Sequence, residues 1–256
     1  MFGFKRRRRE RIRNQPFPSQ WLDILNRNVP YCRSLTAADQ KELQGHIQIF
    51  LHEKRFDGCG GLEMTDEIRV TIAAQACILL LHRKTDYYPT LRSILVYPHH
   101  YFASVTQRQP DGTIIEGAQG RLGESWYRGA VVLSWDDVRR GAADIRDGHN
   151  VVFHEFAHQL DGELGANEGL PDLPRRSMYA TWARVLGLEY NHLIDDLKHR
   201  RRTLLNGYGA TSPAEFFAVV TEAFFEKPAA LKRRHPELYA ELMDFYQQDP
   251  AAHFGR

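Results

Sequence analysis

VVFHEFAHQLDGELG, residues 151–165, sets two histidines four apart with a glutamate directly after the first. Val151, Val152, Phe156, Ala157 and Leu160 supply apolar surface at helical spacing, so the run predicts a helix over about 149–161. On a helix, residues i and i+4 lie on one face a turn apart. His154 and His158 can therefore aim ring nitrogens at one ion. Glu155 sits about 100° further round; it cannot easily share that coordination but can reach a water on the open side. Hydrolytic zinc needs this set: three protein ligands, an exchangeable water and a base beside it. Composition alone yields roughly 0.03 chance HExxH matches in such a chain. The bland alternative is an amphipathic helix whose two histidines and glutamate are merely exposed.

The third ligand is not in the same run. After His158 come Gln159, Leu160, Asp161 and Gly162, so no third histidine follows at the extended spacing. Asp161 shares the face of His154. It could be a ligand, although a supporting role, holding a ligand histidine or a neighbouring loop, suits its place better. It is equally an ordinary aspartate at a helix C-terminus. A second segment, GYGATSPAEFFAVVTEAFFEKP (207–228), offers better donors. Ser212 fits a helix N-cap and Pro213 the first helical position. Glu215 and Glu222 then share a stripe among Phe216, Phe217, Val220 and Phe224, and two carboxylates in so apolar a helix fit a cation. Ser212-x-x-Glu215 is also a capping box, so on the residues alone Glu215 is equally a ligand or a cap. Glu222 is either the ligand or a carboxylate supporting one.

The rest of the chain frames this helix pair. Its 256 residues, 43% hydrophobic, suffice for a sizeable core. A net charge of +2 argues against a dedicated nucleic-acid binder. Cys32, Cys59 and Cys77 are odd in number and widely spaced, which fits a reducing compartment. VTIAAQACILLL (70–81) is too short to span a membrane, and the basic N-terminus lacks the apolar run of a secretory signal. The cytoplasm is the expected setting. Residues 1–18 read as a flexible basic arm, and 19–256 as a single domain; the Lys5–Arg9 run is read as a mobile charged tail, with an anionic partner such as nucleic acid or a membrane surface as the alternative. Helices are expected at 19–28, 36–56, 65–83, about 174–200, 213–226 and about 235–247. Strands are expected at 93–98, 101–107, 112–117 and 129–135, with a turn at 57–62 and a loop at 162–174. Helices, a small sheet, then helices predict an α+β fold. His99, His100 and His149 are given no role.

HEFAHQLD (154–161), GYGATSPAEFFAVVTEAFFE (207–226) and FYQQDP (245–250) together resemble the Mlc titration factor A family of zinc metallopeptidases, which is related to the anthrax lethal factor catalytic domain. The resemblance runs from about residue 20 to 250. It implies a zincin-like fold, a small mixed sheet with the HExxH helix and a mostly helical C-terminal half. It implies one Zn2+ per chain on His154, His158 and Glu215, Glu155 as the base, and Tyr208, seven residues before Glu215, as a donor to the tetrahedral oxyanion. Asp161 and Glu222 remain supporting candidates. The implied activity is aminopeptidase-like hydrolysis of peptides. The implied regulatory partner is a glucose-responsive, Mlc-like repressor. Apart from the resemblance, no direct nucleic-acid or membrane partner is expected, and the chain is expected to be a monomer. In such peptidases an extended substrate pairs with a sheet edge, and 129–135 is the strand expected to supply it.

Overall fold

Thr36, Thr65, Ser134, Asn150 and Ser212 each accept a backbone N–H bond at the start of a helix. These caps punctuate much of the chain. The computed structural model describes residues 2–99, 101–108, 114–121, 123–126, 129–165 and 168–254. In order run α1 (Phe2–Arg13), α2 (Ser19–Asn28), α3 (Ala37–Glu53), β1 (Arg55–Gly58), α4 (Asp66–Ile78), β2 (Ser93–Tyr97), β3 (Tyr101–Arg108), β4 (Ile114–Arg121), β5 (Gly123–Trp126) and β6 (Ala130–Ser134). Then follow α5 (Trp135–Ala143), α6 (Val151–Asp161), α7 (Met178–Lys198), α8 (Pro213–Glu226), α9 (Pro228–Arg234), α10 (Pro236–Tyr246) and α11 (Pro250–Phe254).

The main sheet has the order β1-β2-β6-β5. Its first three strands are parallel, with Arg55 opposite Ser93 and Ser93 opposite Ala130, while β5 runs antiparallel to β6. β3 and β4 form a separate antiparallel pair. The strand expected at the sheet edge, 129–135, is therefore internal: β6 lies between β2 and β5. Its near-continuous burial, with Val131, Val132, Leu133 and Ser134 all inside, is what a strand covered on both faces shows. The two edges are β1 and β5, and β5 is the one that packs against α6.

Helix α6 is anchored from behind by aromatic packing. The Phe156 ring lies 4.9 Å from that of Tyr88 and 5.8 Å from that of Phe50, and Phe153 lies 5.2 Å from Phe225. Phe224, Phe225, Tyr239 and Tyr246 continue this cluster under α8 and α10. Phe225 lies on α8, so the same packing also seats α6 against α8. All three cysteines are free thiols. Among the described residues, no helix is long and apolar enough to cross a membrane.

The expected flexible arm is corrected: residues 2–13 are helical and lie on α3. Among the described side chains of this helix, Ile12 is the apolar one that is buried. The remaining attachment is polar. Arg9 donates to Glu53 at 2.9 and 2.7 Å and to Asp86 at 2.6 Å, its guanidinium stacks 4.6 Å from the Tyr87 ring centroid, and Arg13 donates to the Tyr87 hydroxyl. Burial alone would raise the Glu53 carboxyl, but the Arg9 bonds outweigh it and hold it below its ordinary value. A carboxyl so held contributes stability above its unfolded pKa and loses it as pH falls through the folded one. Acidification below about pH 4 should thus release α1. Arg9→Ala should do so at neutral pH, cutting the exchange protection of α1 amides roughly ten-fold. Unchanged protection in that variant, read by hydrogen exchange, would place the attachment elsewhere.

Candidate metal centre

Asn150 begins the site. Its side-chain oxygen accepts from the Val152 and Phe153 N–H groups and starts α6. Its amide donates to Gln75 at 2.9 Å, to the Gly141 carbonyl at 3.2 Å and to Glu226 at 3.1 Å. One turn along, His154 projects toward α8. Its Nδ1 lies 2.8 Å from Glu222 Oε1 and its Nε2 lies 2.9 Å from Glu215 Oε2. His158 Nε2 is 3.4 Å from the same Glu215 oxygen, and the two imidazole rings are 4.9 Å apart. His154, His158 and Glu215 each offer a ligand atom, all within 4.8 Å of one another.

The carboxylate of Glu215 does not fold back onto the Ser212 N–H as a capping box would have it; it faces the two histidines. The Glu215 backbone N–H donates to Ser212 Oγ at 3.2 Å, which caps α8. Glu222, two turns on, bridges the helices: Oε1 faces His154 and Oε2 accepts the Asn150 N–H at 2.6 Å. It thus stands behind His154, where a ligand imidazole needs a carboxylate on its other nitrogen.

Charge follows geometry. Burial disfavours an imidazolium, but bonds to Glu215 and Glu222 outweigh it and push His154 up to about 10. Burial likewise works against the Glu215 carboxylate, yet the bonds from His154 and His158 hold it at about 2. Without a metal, the pair therefore holds a proton where two nitrogens and a carboxylate meet. Glu155 is only 5% exposed, its Oε2 has no hydrogen-bond partner, and burial raises its carboxyl. A buried carboxylate oxygen left unpaired beside two imidazoles and a carboxylate fits a cation with its water far better than it fits a closed core.

The other candidates divide. Asp161 is not one of the three converging donors; it accepts the Gly169 and Leu170 N–H groups at 2.8 and 2.7 Å, tying down the segment after α6. Trp182 adds a bond to the Gly169 carbonyl. Tyr208 lies on a 3-10 turn over Gly207–Ala210, started by Asn206, with its ring 6.0 Å from that of His154 and 54% of its surface exposed. His99 bonds Asp136, and the His149 N–H bonds Asp147 and Glu226; His100 lies outside the described residues. Sequence reasoning missed Asn150, Gln75 and Glu226, the polar support under α6. Only Asn150 carried a signal, an N-cap residue ahead of an apolar helical run.

The chain matches the model of a family described as glucose-regulated metallo-peptidase M90 over residues 4–247. It is 42% identical over 246 residues to "Uncharacterized protein slr2042" of Synechocystis, covering 95% of this chain and 89% of that one. It is 30% identical over 241 residues to Mlc titration factor A of Yersinia pestis, covering 93% and 87%. The protein of that name from Yersinia pseudotuberculosis gives the same values.

Proposed function

The chain belongs to the glucose-regulated metallopeptidase family M90, and from that premise we propose that it is a zinc-dependent, aminopeptidase-like peptidase of zincin-like fold. One observation carries the proposal: His154, His158 and Glu215 converge within 4.8 Å from two helices. Two imidazoles and one carboxylate are the donor set of a hydrolytic zinc site that keeps a fourth position open. The ion bound there supplies Lewis acidity toward a peptide carbonyl and acidifies water. Glu155, raised by burial, accepts the proton of the attacking water and returns it to the leaving amine. The Tyr208 phenol donates to the oxygen on which negative charge develops. Glu222 keeps the His154 ring oriented through Nδ1, and Asp161 holds residues 169 and 170 beside the site.

Peptide enters on the β5 side. That strand packs against α6, and among the described residues its outer edge pairs with no strand. An extended substrate adds there by main-chain bonds, which demand little of its sequence. Hydrolysis of amino-acid and short-peptide 4-nitroanilides tests the reading. Activity should vanish with a chelator such as 1,10-phenanthroline and return when zinc is added. Turnover that survives exhaustive chelation sinks it.

A second reading, a regulator that sequesters an Mlc-like repressor, is favoured by the name of the Yersinia relatives. The two are separable, because a variant without its base loses hydrolysis and keeps the surface for a partner.

A further inference from the structure

The strongest charged feature outside the metal centre is the exposed face of α1. Residues 1–13 hold seven Lys/Arg against one Glu, a formal charge of +6, in a chain whose total is +2; residues 14–256 therefore carry −4. Part of that positive charge is engaged internally. Arg9 binds Glu53 and Asp86, Lys5 binds Asp86, Arg6 binds Glu10 and Arg13 binds Tyr87. Arg7, Arg8 and Arg11 are exposed, and Arg8 makes only a 3.8 Å approach to Glu53. With Phe4 they occupy positions i, i+3, i+4 and i+7, one straight stripe about 10 Å long. Phe4 is 82% exposed, the most exposed large hydrophobic side chain among the described residues. On one flank Phe4, Lys5 and Arg8 also rim a cleft of about 520 Å³, of mixed charge because Glu53 and Asp86 line it beside His52 and Lys54.

A partner for this stripe must offer several negative groups in a row and an apolar place for one aromatic ring. Duplex nucleic acid offers phosphates but no apolar layer beside them. Its binders also spread positive charge over a whole face, whereas here everything beyond α1 is net acidic. A bilayer with anionic headgroups offers both demands in one plane. The Arg9 and Arg13 anchors fix α1 beforehand, so little ordering is left for binding.

We propose that α1 docks this protein reversibly on anionic lipid bilayers, with Phe4 entering the headgroup boundary and Arg7, Arg8 and Arg11 on the headgroup charges. The acidic remainder of the chain would then face away from the membrane. The test is co-sedimentation of the full chain with phosphatidylcholine vesicles and with vesicles one-third phosphatidylglycerol. Binding is expected only to the anionic vesicles and should fade in high salt. Arg7→Glu/Arg8→Glu/Arg11→Glu should weaken it on the order of 100-fold. Phe4→Ala should weaken it several-fold, about the value of one partly inserted ring. Both variants should melt like wild type, since these side chains are exposed. Equal binding to neutral and anionic vesicles, full binding by the triple variant, or retention of an oligonucleotide in place of vesicles would overturn the proposal. Should the triple variant melt early, Phe4→Ala and the neutral-vesicle comparison decide.

Discussion

Glu155→Gln should retain zinc at the wild-type stoichiometry and hydrolyse peptide anilides roughly a thousand-fold more slowly. Glutamine keeps the shape of the side chain and removes its ability to accept a proton. The loss should fall on kcat, because the group acts on the water and the leaving amine and not on substrate affinity. Stability should hold or rise. Glu155 is buried with an unpartnered oxygen, so its charged form is disfavoured where it sits, and a neutral amide relieves that cost. An inactive, metal-loaded, more thermostable variant would mark a residue kept for chemistry at the expense of packing. Kinetics, metal analysis and a melting curve on the same preparation decide it. Wild-type turnover removes Glu155 as the base, and loss of zinc makes it part of the metal's support.

What was legible in the sequence follows from where the signal was local. Ser212 and Pro213 mark the start of α8, and Thr36 that of α3, because capping chemistry is written in adjacent residues. The HExxH helix was legible for the same reason, four residues of spacing deciding which face carries the histidines. What resisted reading depends on distant partners. α1 is polar nearly all round and shows no apolar stripe; its place is set by Arg9 reaching Glu53 and Asp86, 44 and 77 residues away. β1 has four residues with a mixed burial pattern, too short for an alternation to register. The rank of β6 within the sheet depends on β5, which pairs back onto it, and no property of 129–135 encodes a neighbour. The site shows the same division. Ligand and cap are equal readings of the Glu215 side chain, and only the fold turns its carboxylate to the histidines, leaving Ser212 to cap α8 through the Glu215 N–H.

Glu215→Ala and Glu222→Ala should separate a metal ligand from its support. Among the described residues Glu215 is the one carboxylate whose oxygen meets both histidines, so its loss leaves two imidazoles. Zinc should fall from one per chain to near none after dialysis, and activity with it. Glu222 touches His154 only through Nδ1. Its loss should leave zinc bound but about 10- to 100-fold more weakly, as loss of an orienting partner does. It should also lower stability by about 1–3 kcal/mol, because the buried Asn150 N–H loses its acceptor. The proton on His154 adds an independent readout. Its pKa in the metal-free chain is raised to about 10, so that chain is stabilised fully below the ordinary histidine value and loses this as pH rises through the folded one. If His154 holds zinc through Nε2, binding would release the proton there, while Nδ1–H would go on donating to Glu222. Zinc affinity should therefore weaken as pH falls, with proton release on binding visible in calorimetry across buffers of different ionisation enthalpy. In Glu222→Ala the imidazole loses one of the two carboxylates that hold this proton, so less should be released at neutral pH. If Glu222→Ala loses zinc outright while Glu215→Ala keeps it, the two glutamates exchange roles and the ion must sit on the Nδ1 side of His154.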